Sequence, residues 1–348
     1  MVSPLALARP RIRDLYPYSS GRAEFSGNAE IFIDANENPF NTDVNRYPDV
    51  FHDELREKIA EIKNREFSCA LQKENLLFGN GSNSFISLIP QIFCDAEKDT
   101  VVYCSPTFGM YSVSACIQGA IIHEVPLTSD FDIDTEVLEK ALCNAKLLFL
   151  CSPNNPTGNT LSEKKILHIL KTFSGIVVID EAYIDFCPEK SMLKYLGAFP
   201  NLIIFHTFSK LWGLADARLG LAMAHPDSIQ LLQRVQLPYG ISNLSLSVLK
   251  KRMEKEKERQ EERNIILAER KALSVKLAHL PIVKKVFPSD ANFLLVQFFD
   301  DAQALYEKLL KNGIVVRNFA HKPHTDNCLR FTIGTPAENQ KLISLLSA

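Results

Sequence analysis

The chain has 348 residues, 46% hydrophobic and 23% charged, the balance of a globular protein able to bury a sizeable core rather than of a disordered or fibrous one. Lys plus Arg number 39 against 41 Asp plus Glu, a formal charge of −2, so the basic stripe expected of a general nucleic-acid binder is missing and a membrane-surface role loses the same support. No apolar run approaches the ~18–20 residues of a membrane-spanning helix, and the eight cysteines are scattered without metal-ligand or redox CxxC spacing, as suits reduced thiols in a cytoplasmic protein.

At about 150 residues per domain, the length allows roughly two domains. Residues 1–30 carry Pro4, Pro10, Pro17, Gly21 and Gly27 and read as an extended arm. Their apolar stretch is too short for a secretory signal and precedes its basic residues, although Arg9, Arg11 and Arg13 leave an organellar leader open. From there to about residue 225, apolar runs at 76–78, 100–103, 120–125, 146–150, 176–179 and 202–205 alternate with helical stretches. Several runs are continuous rather than alternating, as in strands buried on both faces of a parallel sheet. The pattern predicts a doubly wound α/β domain with ligands at the carboxyl ends of its strands. Residues 250–271 are dense in Lys, Glu and Arg without Gly or Pro, which predicts one long helix with a solvated face. A strand at 292–298, a helix at 302–311 and strands at 313–316 and 329–333 complete a small α+β unit. The expected division is an arm over 1–30, a large domain over 31–245 and a small C-terminal domain over 246–348.

Four stretches just after predicted strands carry groups suited to chemistry. Gly79-Asn80-Gly81-Ser82 lets the backbone approach an anion at a helix N-terminus, but it is neither a Walker A loop nor a full GxGxxG, and a tight turn explains it as well. In the loop from Ser152 to Gly158, Pro156 holds Asn155 out of the α region and fixes its amide at the sheet edge, a plain turn being the alternative. Asp180-Glu181-Ala182-Tyr183 follows, where Asp180 alone could be a helix N-cap and Tyr183 a core residue. Thr207-Phe208-Ser209-Lys210 and then Arg218 come last, and a lone lysine is ordinarily a solvated surface group. Taken together, the amine, anion loop, carboxylate, amide and phenol answer the needs of pyridoxal 5′-phosphate. It requires an amine for a Schiff base, an anion site for its phosphate, a carboxylate keeping its pyridine nitrogen protonated and donors to its 3-oxygen.

These stretches, with Asp34-Ala35-Asn36-Glu37-Asn38-Pro39-Phe40, Arg46-Tyr47-Pro48, Pro106-Thr107-Phe108-Gly109-Met110-Tyr111 and Leu329-Arg330-Phe331-Thr332-Ile333-Gly334-Thr335-Pro336, resemble the histidinol-phosphate aminotransferases. These are class II members of the fold type I pyridoxal-phosphate enzymes, and the resemblance runs from about Tyr18 to the C-terminus. It implies a mostly parallel central sheet with a smaller C-terminal α+β domain, and amino transfer between L-histidinol phosphate and 2-oxoglutarate in histidine biosynthesis. By position it implies Lys210 as the Schiff-base lysine, Asp180 as the partner of the pyridine nitrogen, and Asn155 and Tyr183 as donors to the 3-oxygen. Lys210, Asp180 and Tyr183 form the catalytic set, and no metal is implied. Phe108 and Ala182 fall where the ring is sandwiched. Gly81, the Ser82 and Asn83 amides, Thr207, Ser209 and Arg218 match the phosphate cup. Tyr47 matches a tyrosine that reaches the phosphate from the other subunit of a homodimer. Arg330 matches the group that grips the substrate α-carboxylate, while Tyr18, Asn36, Tyr239 and Arg317 match the side-chain pocket, Arg317 for the substrate phosphate.

Three positions depart from the family pattern. Phe108 stands where Tyr is frequent and Asn83 where Asp is common, and Asp216 replaces a glycine, where its carboxylate either weakens the cup or pairs with Arg218. The rival readings within the fold are an aromatic amino acid aminotransferase and an enzyme like the threonine-phosphate decarboxylases. A non-catalytic regulator of this fold would need an added DNA-binding domain, for which no room is expected before Tyr18 or after Pro336.

Overall fold

The computed structural model describes residues 2–17, 21–25, 30–299, 301–320 and 323–347. Seven strands form the larger sheet: β1 Leu76–Asn80, β2 Thr100–Ser105, β3 Ile121–Pro126, β4 Ala145–Cys151, β5 Ile176–Asp180, β6 Leu202–Thr207 and β7 Leu219–Ala224, in the order β1-β7-β6-β5-β4-β2-β3. The six expected runs are all strands, and β2 to β6 pair in parallel. β7 was not foreseen: Leu-Gly-Leu-Ala-Met-Ala has none of the β-branched residues that mark strands, and it runs antiparallel to both β6 and β1.

Helices α1 Asp53–Phe67, α2 Ser82–Phe93, α3 Met110–Gln118, α4 Thr135–Leu142, α5 Glu163–Thr172 and α6 Pro226–Val235 cover the sheet. β5 shows why its sequence reads as an unbroken apolar run. Val177 and Ile179 enter one core, Ile176 and Val178 enter a second, and the whole strand is buried. Such two-sided burial is the condition under which a parallel strand loses its polar alternation. The register aligns Cys151 of β4 with Asp180 of β5, and Asp180 with Phe205 of β6, so the three loops that follow these strands open at one edge.

Three local expectations need correction. The charged run is not one helix but two, α7 Asn243–Met253 and α8 Glu256–Ala278. At the break Arg252 donates from Nε to the Trp212 carbonyl at 3.0 Å and bridges to Glu258 and Glu262 of α8, interactions that a straight helix would not bring together. Residues 313–316 are not a strand, because Gly313 at φ +75° turns the chain and the Ile314 N–H caps the helix before it on Leu309 O. Residues 2–17 are not an extended arm but hold short helical turns, Pro4–Leu7 and Pro10–Arg13. They are tied to α2, where Arg9 N–H donates to Ile92 O at 2.9 Å and its guanidinium meets Asp95 at 2.7 Å.

A second, antiparallel sheet of β8 Val283–Val286, β9 Phe293–Phe298, β10 Arg317–Asn318 and β11 Cys328–Thr332 has the order β10-β11-β9-β8. Leu273 and Leu277 of α8 share its core with Leu305 of α9 Ala302–Lys311 and Leu342 of α10 Pro336–Ser347. Among the described residues no helix is long and apolar enough to cross a membrane.

Candidate active site

One cavity at the carboxyl ends of β4, β5 and β6 gathers the glycine loop, the Pro/Asn loop, the acidic strand end and the lysine loop. Gly81, Ser82, Asn83, Phe108, Asn155, Asp180, Ala182, Tyr183, Thr207, Ser209, Lys210 and Arg218 all line it. Twelve positions proposed from five separate stretches, Phe108 coming from the fifth, thus share one wall.

The anion end is built from backbone. Gly81, at φ +71°, caps α2, so the first-turn N–H groups of Ser82 and Asn83 stand at a helix N-terminus with a favourable dipole. β7 passes directly beneath, and Gly220 is the residue that permits it, since a Cβ there would lie 2.3 Å from Ser82 N. Arg218, itself at φ +53°, reaches the same loop: a Cβ on Gly81 would lie 2.7 Å from its Nη2. Thr207 Oγ1 accepts from Ser209 N–H at 3.2 Å, which folds both hydroxyls into the turn before Lys210. Gly220→Ala should therefore push the Ser82 backbone out of place, costing about 1–3 kcal/mol of stability for overpacking and weakening anion binding; chemical denaturation and a phosphate titration check both. Of the two readings of Asp216, the pairing with Arg218 is not made. Arg218 donates from Nη1 to Ala215 O at 3.1 Å, and both residues are exposed.

The acid end is deeply buried. Asp180 is 3% exposed, and its carboxylate accepts from Tyr111 Oη at 2.9 Å and from Ala182 N–H at 3.1 Å. Burial raises its pKa to about 6, against the opposing pull of Tyr111, Ala182 and Lys210. A buried carboxylate whose hydrogen-bond partners are neutral is matched to a cationic ring nitrogen. Tyr111 itself is wholly buried against Phe149, with ring centroids 5.0 Å apart.

Lys210 Nζ lies 5.2 Å from the Tyr183 ring centroid. Burial lowers its pKa, Arg330 lowers it further, and Asp180 opposes the shift. Arg330 donates from Nη1 to Asn155 Oδ1, leaving the amide Nδ2 as a donor. Its guanidinium sits 4.9 Å from the Phe293 ring and 5.2 Å from the Phe319 ring, with Nε buried and unpartnered. Arg317 on β10 is in register with Arg330 on β11, so two cations stand side by side. The glycine cradle, the uncompensated carboxylate, the low-pKa amine and the orphaned guanidinium nitrogen together fit pyridoxal phosphate and an anionic substrate.

The remaining predicted residues lie elsewhere. Tyr47 and Tyr239 stack on each other, centroids 4.5 Å apart, and Asn36 lines a separate hollow with Tyr47. Tyr18 lies outside the described residues. Sequence reasoning assigned no role to Tyr111, although it ends the quoted Pro106 to Tyr111 stretch, nor to Cys151 and Ala215, which line the cavity. It also missed Glu181, 2% exposed, which accepts from Ser191 Oγ at 2.6 Å and Met192 N–H at 2.7 Å and pairs with buried His206 at 2.9 Å, bracing the loop beside Asp180.

A family model described as aminotransferase class I and II matches residues 26–346. The histidinol-phosphate aminotransferase of Parabacteroides distasonis is 45% identical over 341 residues, 98% of this chain and 97% of that protein. The one from Flavobacterium johnsoniae is 41% identical over 344 residues, with the same coverages of 98% and 97%. Among solved structures, histidinol-phosphate aminotransferase from Sinorhizobium meliloti in complex with pyridoxal-5′-phosphate has a TM-score of 0.78 at 23% identity, covering 88% of this chain and 83% of that one.

Proposed function

The chain belongs to the class I and II aminotransferases, which are pyridoxal-phosphate enzymes, and on that premise we propose that it transfers the amino group between L-histidinol phosphate and 2-oxoglutarate, yielding imidazole acetol phosphate and glutamate. The observation that carries the choice of substrate is the pair Arg317 and Arg330, side by side on β10 and β11 next to the Lys210 cavity. Two guanidiniums suit a phosphate in one half-reaction and a dicarboxylate in the other better than they suit an uncharged aromatic side chain. The near full-length likeness to enzymes of that name supports the same reading.

When bound, pyridoxal phosphate supplies the electron sink for the bond broken at the substrate carbon. Lys210 would hold the cofactor through its amine and, once the substrate amine displaces it, would act as the freed neutral base favoured by its buried surroundings, carrying the proton taken from the substrate Cα. Asp180 keeps the ring nitrogen protonated. Asn155 and Tyr183 donate to the 3-oxygen, and Phe108 and Ala182 hold the ring faces. Gly81, Ser82, Asn83, Thr207, Ser209 and Arg218 hold the phosphate. We assign Tyr47 to the phosphate of a second subunit in a cytoplasmic homodimer, in keeping with its distance from its own chain's cavity, and Asn36, Tyr239 and Tyr18 to the substrate side chain. The division into a cofactor domain over 31–245 and a small domain over 246–348 belongs to the same reading.

The test is a panel of amino donors with 2-oxoglutarate: histidinol phosphate should give the highest kcat/KM for glutamate formation. Faster turnover of phenylalanine or tyrosine, or CO2 release from threonine phosphate, would replace this reading by one of its rivals. Histidinol phosphate has no α-carboxylate, so Arg330 should matter most with glutamate. Arg330→Ala should slow the glutamate half-reaction by roughly 30- to 5,000-fold, the range of about 2–5 kcal/mol for truncating one partner of a buried charge pair, and the histidinol-phosphate half-reaction by less. Stopped-flow absorbance of each half-reaction separates them, and equal indifference in both would sink the assignment.

A further inference from the structure

Behind the loop of Lys210 lies a second, smaller cavity of about 70 Å³, lined by Glu66 of α1, Asp185, Trp212, and Arg259 and Arg263 of α8, among others. Three donors of these side chains have no hydrogen-bond partner: Arg259 Nη1, Arg263 Nε and Trp212 Nε1. Arg259 is 2% exposed and Trp212 1%, so bulk solvent does not reach them. Arg259 is also fixed in place. Its Nη2 donates to Glu66 at 2.7 Å, and its guanidinium lies 3.9 Å from the Trp212 ring centroid.

Charge points the same way as the hydrogen bonds. Lys63, 1% exposed, pairs with Asp185 at 3.2 Å, and Arg259 pairs with Glu66, so both carboxylates are already engaged. Arg263, half-buried, makes no ion pair with any described residue, so its guanidinium, the source of one of the three unmet donors, is the cation of this cluster without a carboxylate. Buried donors without acceptors are costly, and with an unpaired guanidinium beside them an acceptor carrying negative charge suits the cluster better than a neutral one. The cavity is large enough to admit a water or a halide ion.

We propose that this cavity binds a small monovalent anion, chloride under ordinary salt conditions, between Arg259, Arg263 and Trp212. Bound there, the ion fastens α8 to the loop that carries Lys210, because Arg259 and Arg263 lie on the first and Trp212 on the second.

The test uses the full-length holoenzyme in sodium gluconate at fixed ionic strength, titrated with sodium chloride while the thermal midpoint is read. The midpoint should rise saturably by roughly 2 °C or more, and bromide should reproduce the rise. Arg263→Gln should abolish the dependence on chloride, whereas Arg263→Lys should keep part of it. Crystals grown in bromide should show an anomalous peak in this cavity, a readout that stands even if the glutamine variant does not fold. An identical midpoint in chloride and gluconate, an unchanged chloride response in Arg263→Gln, or water density alone at the site would each overturn the proposal.

Discussion

Lys210→Ala should lower kcat/KM for amino transfer by at least about 10⁴-fold, the upper range for a positioned proton-transfer group, because the same amine also holds the cofactor. Lys210 follows β6 through the Thr207–Ser209 turn, which aims its chain into the cavity beside Tyr183. Its ammonium form is disfavoured first by burial and then by Arg330. Since its pKa lies below the ordinary lysine value, the neutral base gains population as pH rises through a range below that of an exposed lysine. Lys210→Arg should be nearly as inactive, because a guanidinium keeps the charge but does not lose its proton. Borohydride treatment followed by mass spectrometry gives a second readout: the wild type should carry the cofactor on Lys210 and neither variant should carry it anywhere. Full turnover by Lys210→Ala would refute the assignment outright.

The parts of this site that were legible in the sequence share one property. Each has an ordinary turn or cap reading by itself, and what sets them apart is a local signal repeated at successive strand ends of one sheet. Pro156 marks Asn155, the Ile-Val-Val-Ile run marks Asp180, and the paired glycines mark the turn into α2. What was not legible depends on contacts between distant segments. Tyr111 and Asp180 are 69 residues apart, and nothing local to Tyr111 distinguishes a core tyrosine from one that donates to a carboxylate. The break between α7 and α8 follows from the attachment of Arg252 to Trp212, 40 residues away, in a charged run that offers no Gly or Pro. β7 was invisible for a different reason, because close approach to Ser82 demands Gly220 in its middle and the other residues of Leu-Gly-Leu-Ala-Met-Ala include none of the β-branched types by which strands are recognised.

Tyr111 also determines how the second large effect should appear. Asp180→Asn preserves shape but removes the negative charge opposite the ring nitrogen, and it should cost about 10²–10³-fold in kcat, the scale found when one preorganised electrostatic partner is lost from a dry site. The carboxylate is raised to about 6 by burial even with Lys210 pulling it down, and a protonated ring nitrogen would draw its pKa down further, which favours the ionised form at pH 7. An asparagine would meet the Tyr111 hydroxyl and the Ala182 N–H with an amide that has a single acceptor oxygen, so one of the two donors would lose its acceptor as well. Tyr111→Phe tests the supporting bond separately. It leaves the charge in place, removes one hydrogen bond to a charged group and should cost about tenfold, with the carboxyl pKa moving upward and activity falling off at a correspondingly higher pH on the acid side. The order of effects is therefore Asp180→Asn well above Tyr111→Phe, read in kcat at pH 8, where the tyrosine variant should recover and the asparagine variant should not. If both lost the same activity at every pH, Asp180 would be holding structure rather than charge.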